Sequence, residues 1–132
     1  MIERPQTQPS TRLKRWRKKF AHAIRGLVVG VRGQDSFWVH LPALLAVIVW
    51  AAWLQVSSLR WLLLVVCIAI VLSAELFNSA IEHLARAITD EQHPEIRDAL
   101  DIASGAVLIV SVGAAVVGMV VLVGPLWQWL SS

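Results

Sequence analysis

The sequence predicts an all-α membrane protein, with an N-terminal amphipathic surface helix followed by three transmembrane helices. Three observations predict it. Of 132 residues, 57% are hydrophobic and only 16% charged, which is too apolar for an ordinary soluble domain and too short for more than one domain. A bilayer core of roughly 30 Å needs about 20 mainly apolar residues per helix, and the apolar length here allows three crossings. Arg12, Lys14, Arg15, Arg17, Lys18, Lys19, Arg25 and Arg32 all precede the first apolar run, so the positive-inside rule puts that end in the cytoplasm.

Residues 1–11 read as a flexible tail, because MIERPQTQPS carries two prolines and no apolar periodicity. Residues 12–132 read as a single domain. From 12 to 33, Leu13, Trp16, Phe20, Ile24, Leu27, Val28 and Val31 recur at helical spacing with lysine and arginine on the other faces. Such a helix suits the anionic surface of a cytoplasmic leaflet. A nucleic-acid-binding arm would share the charge, but the adjoining membrane run makes lipid the simpler partner, and no nucleic acid is expected.

The first crossing is expected over 39–56, with Ser57, Ser58 and Arg60 in a turn on the far side. Trp50, Trp53 and Trp61 gather around that turn, and Trp127 and Trp129 lie at the end of the last apolar run. Tryptophan prefers the headgroup level, so both clusters mark the outer interface. The second crossing is expected over 59–88, a polar cytoplasmic loop (TDEQHPEIRDAL) over 89–100, and the third crossing over 101–126. In the third, Ala103, Ser104, Gly105, Ala106, Gly113, Ala114 and Gly118 would let helix backbones approach closely in lipid. The first apolar run starts too late for a cleaved secretory signal, so the N-terminus is expected to be retained. Cys67 lies in an apolar run and reads as a small hydrophobe.

The chemistry concentrates in the second crossing. Glu75, Asn78 and Glu82 are spaced i, i+3 and i+7, which places them along one helix face. At about 1.5 Å per residue, Glu75 lies about 21 Å from Trp61 and Glu82 about 31 Å, within and at the edge of the inner leaflet. An ionisable residue at that depth is expensive and is a functional hypothesis by default. The plain structural alternative has Glu75 protonated or hydrogen-bonded to a neighbouring helix and Glu82 solvated at the interface, and for Glu82 alone it is the better reading. For the aligned set, with Asp101 at the start of the next crossing, a site is the better reading. Two carboxylates and an amide oxygen suit Mg²⁺, and Mg²⁺ beside cationic groups suits a nucleotide polyphosphate. Glu75, deep and desolvated, suits removal of a proton from a lipid hydroxyl.

The run AELFNSAIEHL (Ala74 to Leu84), His93, and DALDIASGAVLI (Asp98 to Ile109) resemble the prokaryotic diacylglycerol kinase and undecaprenol kinase family. The resemblance extends from about Arg15 to Leu126. It implies a homotrimer of three-helix protomers, each with a surface helix, in the bacterial cytoplasmic membrane. It also implies phosphorylation of a membrane lipid alcohol by ATP with Mg²⁺, diacylglycerol being the first expected acceptor and undecaprenol the second. By the same resemblance the general base falls on Glu75, an amide on Asn78, and a metal-binding carboxylate on Glu82. Nucleotide contacts fall on Arg15, on Glu91, Gln92 and His93, and on Asp101. The family's second metal carboxylate falls on Gln34, with Asp35 next to it, and its phosphate-binding lysine falls on Leu100.

Arg97, one turn before Leu100 on the same helical side, is placed to supply the missing cation, and Arg86 stands where the family carries an aspartate. Gln34 and Leu100 favour a rival reading, a member that binds lipid or nucleotide, or scaffolds other proteins, without efficient catalysis. The retained Glu75, Asn78, Glu82 and Asp101 oppose it. His22, His40, His83 and His93 show no metal-ligand spacing, which argues against zinc. Three helices without repeats give little basis for a transporter.

Overall fold

The computed structural model describes residues 12–32, 35–89, 91 and 93–131. The tail, Gln34 and Gln92 lie outside the described residues, as does the side chain of Asp35. Among the described residues the chain is all-helical, with α1 (Arg12–Val31), α2 (Asp35–Trp53), α3 (Ser58–Ile88) and α4 (Pro94–Leu130). Two of these, α3 and α4, are long and apolar enough to cross a membrane. The apolar part of α2, His40–Trp53, is shorter than that requirement. The apolar side chains of α3 and α4 are mostly turned outward, with Ile109 74% and Val120 73% exposed. In water such surface would be ruinous; a lipid tail solvates it as well as another helix would.

Residues 94–100, expected as loop, are helical. Pro94 occupies the first turn of α4, where its missing N–H would be unpaired in any case and its fixed φ suits a helix. The preceding residue is pushed to extended backbone, and His93 has φ −108° and ψ 127°. Its carbonyl accepts the N–H of Arg97 at 3.0 Å. The connection from α3 is therefore short. Within it the Thr89 hydroxyl oxygen accepts the N–H of Glu91 at 3.0 Å.

The link between α2 and α3 is a tight C-terminal cap. The N–H of Val56 reaches the Ala51 carbonyl at 3.3 Å, and the N–H of Gln55 reaches that of Ala52 at 3.2 Å, the paired bonds of a Schellman turn. The turn requires a left-handed residue, and Gln55 supplies it at φ 47°. Its apolar clasp is present too, since Ala51 and Val56 are both buried and join Leu64, Val121 and Leu122 in the core. This core sits at the tryptophan end of the molecule, where the rings of Trp53 and Trp129 lie 4.8 Å apart. The Arg60 guanidinium passes over Gly124, 3.4 Å from where a Cβ would stand. Three helix ends are thereby held at one level.

The basic helix α1 rests on α3 through its C-terminal half. Gly30 is buried, and a Cβ there would come within 2.6 Å of Leu76 Cδ2. The rest of its apolar stripe is exposed, with Leu13 71% and Phe20 64% accessible. The close approach expected at Gly105 and Gly113 is not made within the chain, where an added Cβ at either would meet open space.

A non-glycine residue in the left-handed region costs about 1–2 kcal/mol, partly offset by glycine's larger unfolded-state entropy. Gln55→Gly is therefore expected to stabilise the protein by about 0.5–1 kcal/mol and raise its melting temperature in detergent. Gln55→Val, β-branched in the same conformation, is expected to lower it.

Candidate functional site

The helical period puts Glu75, Asn78, Ser79 and Glu82 on one side of α3, and packing against the other helices buries the first three. Glu75 is only 1% exposed and Asn78 6%. The Asn78 amide donates to Glu82 Oε1 at 2.7 Å, and Arg86 Nη1 lies 3.6 Å from Glu82 Oε2. The Ser79 hydroxyl donates back to the Glu75 carbonyl at 2.9 Å, which spends its polarity inside the helix. The Asn78–Glu82–Arg86 ladder climbs α3 away from the tryptophan end, from buried amide to exposed guanidinium.

The Glu75 carboxylate turns towards α2. Its Oε1 lies 3.0 Å from Nδ1 of His40, while Nε2 of the same ring lies 3.5 Å from the Ser111 hydroxyl on α4. The 3.0 Å contact is close enough for a charged pair, yet Oε1 falls outside hydrogen-bond geometry. Asn78 Oδ1 is likewise buried without a hydrogen-bond partner. A buried acceptor left without a hydrogen bond costs about 1–3 kcal/mol, so Asn78 Oδ1 is open to a donor or a cation, while Glu75 Oε1 faces the His40 ring.

Below this pair an apolar cavity of about 400 Å³ opens between α2, α3 and α4. Its walls include Val47, Leu64, Cys67, Val71 and Ala114, and it runs from His40 and Ser111 towards Leu54 and Leu126. Along α2 that is about 21 Å at the helical rise. Its polar end is therefore the end beside Glu75. Such a slot suits an apolar chain with one polar head.

A second cleft lies at the other end of α3, where it turns into α4. Arg86, Thr89, Glu91, His93, Arg97, Leu100 and Asp101 line it. Four expected nucleotide positions, Glu91, His93, Arg97 and Asp101, thus share one cleft, and Arg86 and Leu100 share it too. Arg15 does not join them. It lines a separate cleft on α1 with Arg12, Trp16 and Lys19, where the Lys19 ammonium sits 5.4 Å from the Trp16 ring centroid. Gln34 and Gln92 lie outside the described residues, and Asp35 opens α2 with its side chain likewise outside them.

For a divalent cation the described donors are few. No group of three or more His, Cys, Asp or Glu gathers among the described residues. Glu82 and the unpartnered Asn78 Oδ1 are hard oxygen donors on one face, a fit for Mg²⁺ that needs further oxygens from elsewhere. The residue that sequence reasoning missed is His40. Its signal was present, because a histidine in the apolar run VHLPALLAV is an ionisable group at membrane depth. Ser111 gave none, since a lone serine in an apolar helix is ordinary.

Comparison with known proteins identifies the family. Residues 21–122 match the family described as prokaryotic diacylglycerol kinase. The chain is 35% identical to the undecaprenol kinase of Bacillus subtilis (strain 168) over 109 residues, 83% of this chain and 89% of that protein. It is 31% identical to the diacylglycerol kinase of Escherichia coli (strain K12) over 111 residues, 78% of this chain and 90% of that one. With a diacylglycerol kinase of Synechocystis sp. it shares 30% identity over 108 residues, covering 81% of this chain and 62% of that one. A match over most of the chain, on a helical membrane scaffold with a buried carboxylate and a polar cleft above it, makes this protein a member of the prokaryotic diacylglycerol kinase family of ATP-dependent lipid kinases.

Proposed function

We propose that the protein transfers the γ-phosphoryl group of ATP to the hydroxyl of a membrane lipid alcohol, with Glu75 as general base. The observation that carries this reading is the buried carboxylate of Glu75, 3.0 Å from His40, which itself lines the polar end of an apolar cavity. A lipid chain in that cavity would bring its hydroxyl to the carboxylate. Glu75 takes the hydroxyl proton, the lipid oxygen attacks the γ-phosphorus, and the bond to the ADP oxygen breaks. In-line positioning supplies most of the acceleration.

The nucleotide belongs in the α3–α4 cleft, with Arg97 and Arg86 as phosphate partners, Asp101 and Glu91 as further contacts, and His93 and Gln92 at its rim. Arg15 would act across an interface, as a residue of one protomer serving another's cleft. Mg²⁺ would be held by Glu82 and Asn78 with Asp35 or Gln34, and supplies charge neutralisation of the polyphosphate when bound. Arg86 already contacts Glu82, so it either yields to the metal or serves the phosphates beside it.

The acceptor we favour is undecaprenol, reversing the order expected from the sequence. The higher identity to an undecaprenol kinase supports it, and diacylglycerol is the second reading, supported by the other relatives. We further propose that α2 is the third crossing, that the basic α1 lies on the cytoplasmic face of a bacterial inner membrane, and that the chain works as a homotrimer. The outward-facing apolar surface and the open space at Gly105 and Gly113 support assembly with further copies.

Purified protein with Mg²⁺ and labelled ATP is expected to phosphorylate undecaprenol in preference to diacylglycerol. Glu75→Gln is expected to lower kcat by about 10²–10⁴-fold, the usual contribution of a general base. Unchanged turnover in that variant would remove Glu75 from the chemistry. Arg97→Ala is expected to raise the KM for ATP roughly three- to tenfold while leaving the KM for lipid alone, as measured by steady-state kinetics. Detergent conditions that dissociate the assembly to monomers, followed by cross-linking and light scattering, are expected to abolish transfer.

A further inference from the structure

We propose that His40 is a positioning residue for Glu75, and that with Ser111 it holds the base aimed at the lipid hydroxyl; this rests on Glu75 being the base. Three helices meet at this ring. Nδ1 faces the Glu75 carboxylate of α3 at 3.0 Å and Nε2 faces the Ser111 hydroxyl of α4 at 3.5 Å. The role proposed here uses the tautomer in which Nδ1, the nitrogen on the carboxylate side, carries the hydrogen and Nε2 accepts from Ser111.

Because Oε1 sits off the hydrogen-bond line, the carboxylate is steered by His40 without being consumed by it. That distinguishes His40 from the Ser79 hydroxyl, which turns back to the α3 backbone and leaves the carboxylate alone. His40 and Ser111 also line the polar end of the apolar cavity, so the group that steers the base forms part of the wall along which the lipid must lie. Packing alone would be served equally by any side chain of the same volume. Steering needs a donor at the Nδ1 position.

The experiment compares wild type, His40→Leu, His40→Asn, Ser111→Ala and Glu75→Gln in one lipid-phosphorylation assay with saturating ATP. His40→Leu keeps the bulk and removes the donor, whereas the amide of His40→Asn places a donor near where Nδ1 stood. The expected result is a kcat lowered roughly 10- to 100-fold in His40→Leu, with the KM for ATP within about twofold of wild type, and most of the loss restored in His40→Asn. Ser111→Ala is expected to lower kcat about threefold, as for a weak neutral bond. Full turnover in His40→Leu, or equal loss in Leu and Asn, would overturn the proposal while an inactive Glu75→Gln leaves the base assignment standing. An active Glu75→Gln would overturn both. Matching melting temperatures and assembly states across the set separate steering from misfolding.

Discussion

A carboxyl group sealed inside an apolar bundle sets the terms for the rest of this molecule. Glu75 is 1% exposed on a helix long and apolar enough to cross a membrane, and its polar oxygens have to be met by something other than water. α2 answers with His40, α4 answers the histidine with Ser111, and α3 holds the carboxylate itself. The same three helices are clasped at their opposite ends by the core around Ala51, Val56, Leu64, Val121 and Leu122. Two contacts at different depths, one apolar and one polar, fix α2 against the hairpin of α3 and α4. The cavity is the space left between them.

Helix length divides the labour. At about 1.5 Å per residue, α3 with 31 residues and α4 with 37 outrun a hydrocarbon layer of about 30 Å. The surplus leaves room for Glu82, Arg86, Arg97 and Asp101, which lie towards the end of the pair away from the tryptophans, to stand outside the hydrocarbon, where charge is cheap. An apolar substrate and a highly charged one can therefore be served by a single pair of helices, each in the medium it prefers. Asn78 and Glu82 stand at the join.

Much of this was legible in the sequence. Helical periodicity located the basic surface helix, and the i, i+3, i+7 spacing put Glu75, Asn78 and Glu82 on one face, as the Asn78–Glu82 bond on α3 bears out. The start of α4 was misread because polar residues were weighed above Pro94, whose place at the first turn of a helix is itself a start signal. His40 escaped notice because its partner lies on another helix, and no local pattern reports a contact made only when α2 folds back through the Gln55 turn. The small residues of α4 were read as allowing close packing within or between chains, and Gly105 and Gly113 face open space within this one, since small residues say that a close approach is possible and not with which helix it occurs.

The brevity of the link between α3 and α4 carries a consequence for how such enzymes diversify. Every side chain lining the polar cleft comes from one unbroken stretch, Ala85 to Asp101, that folds back on itself at His93 and Pro94. Under the proposed nucleotide placement, the phosphate-facing side chains at positions such as Arg86, Arg97 and Leu100 can vary within one short stretch, while Arg15 and the metal ligands lie outside it and the apolar cavity is built from three helices.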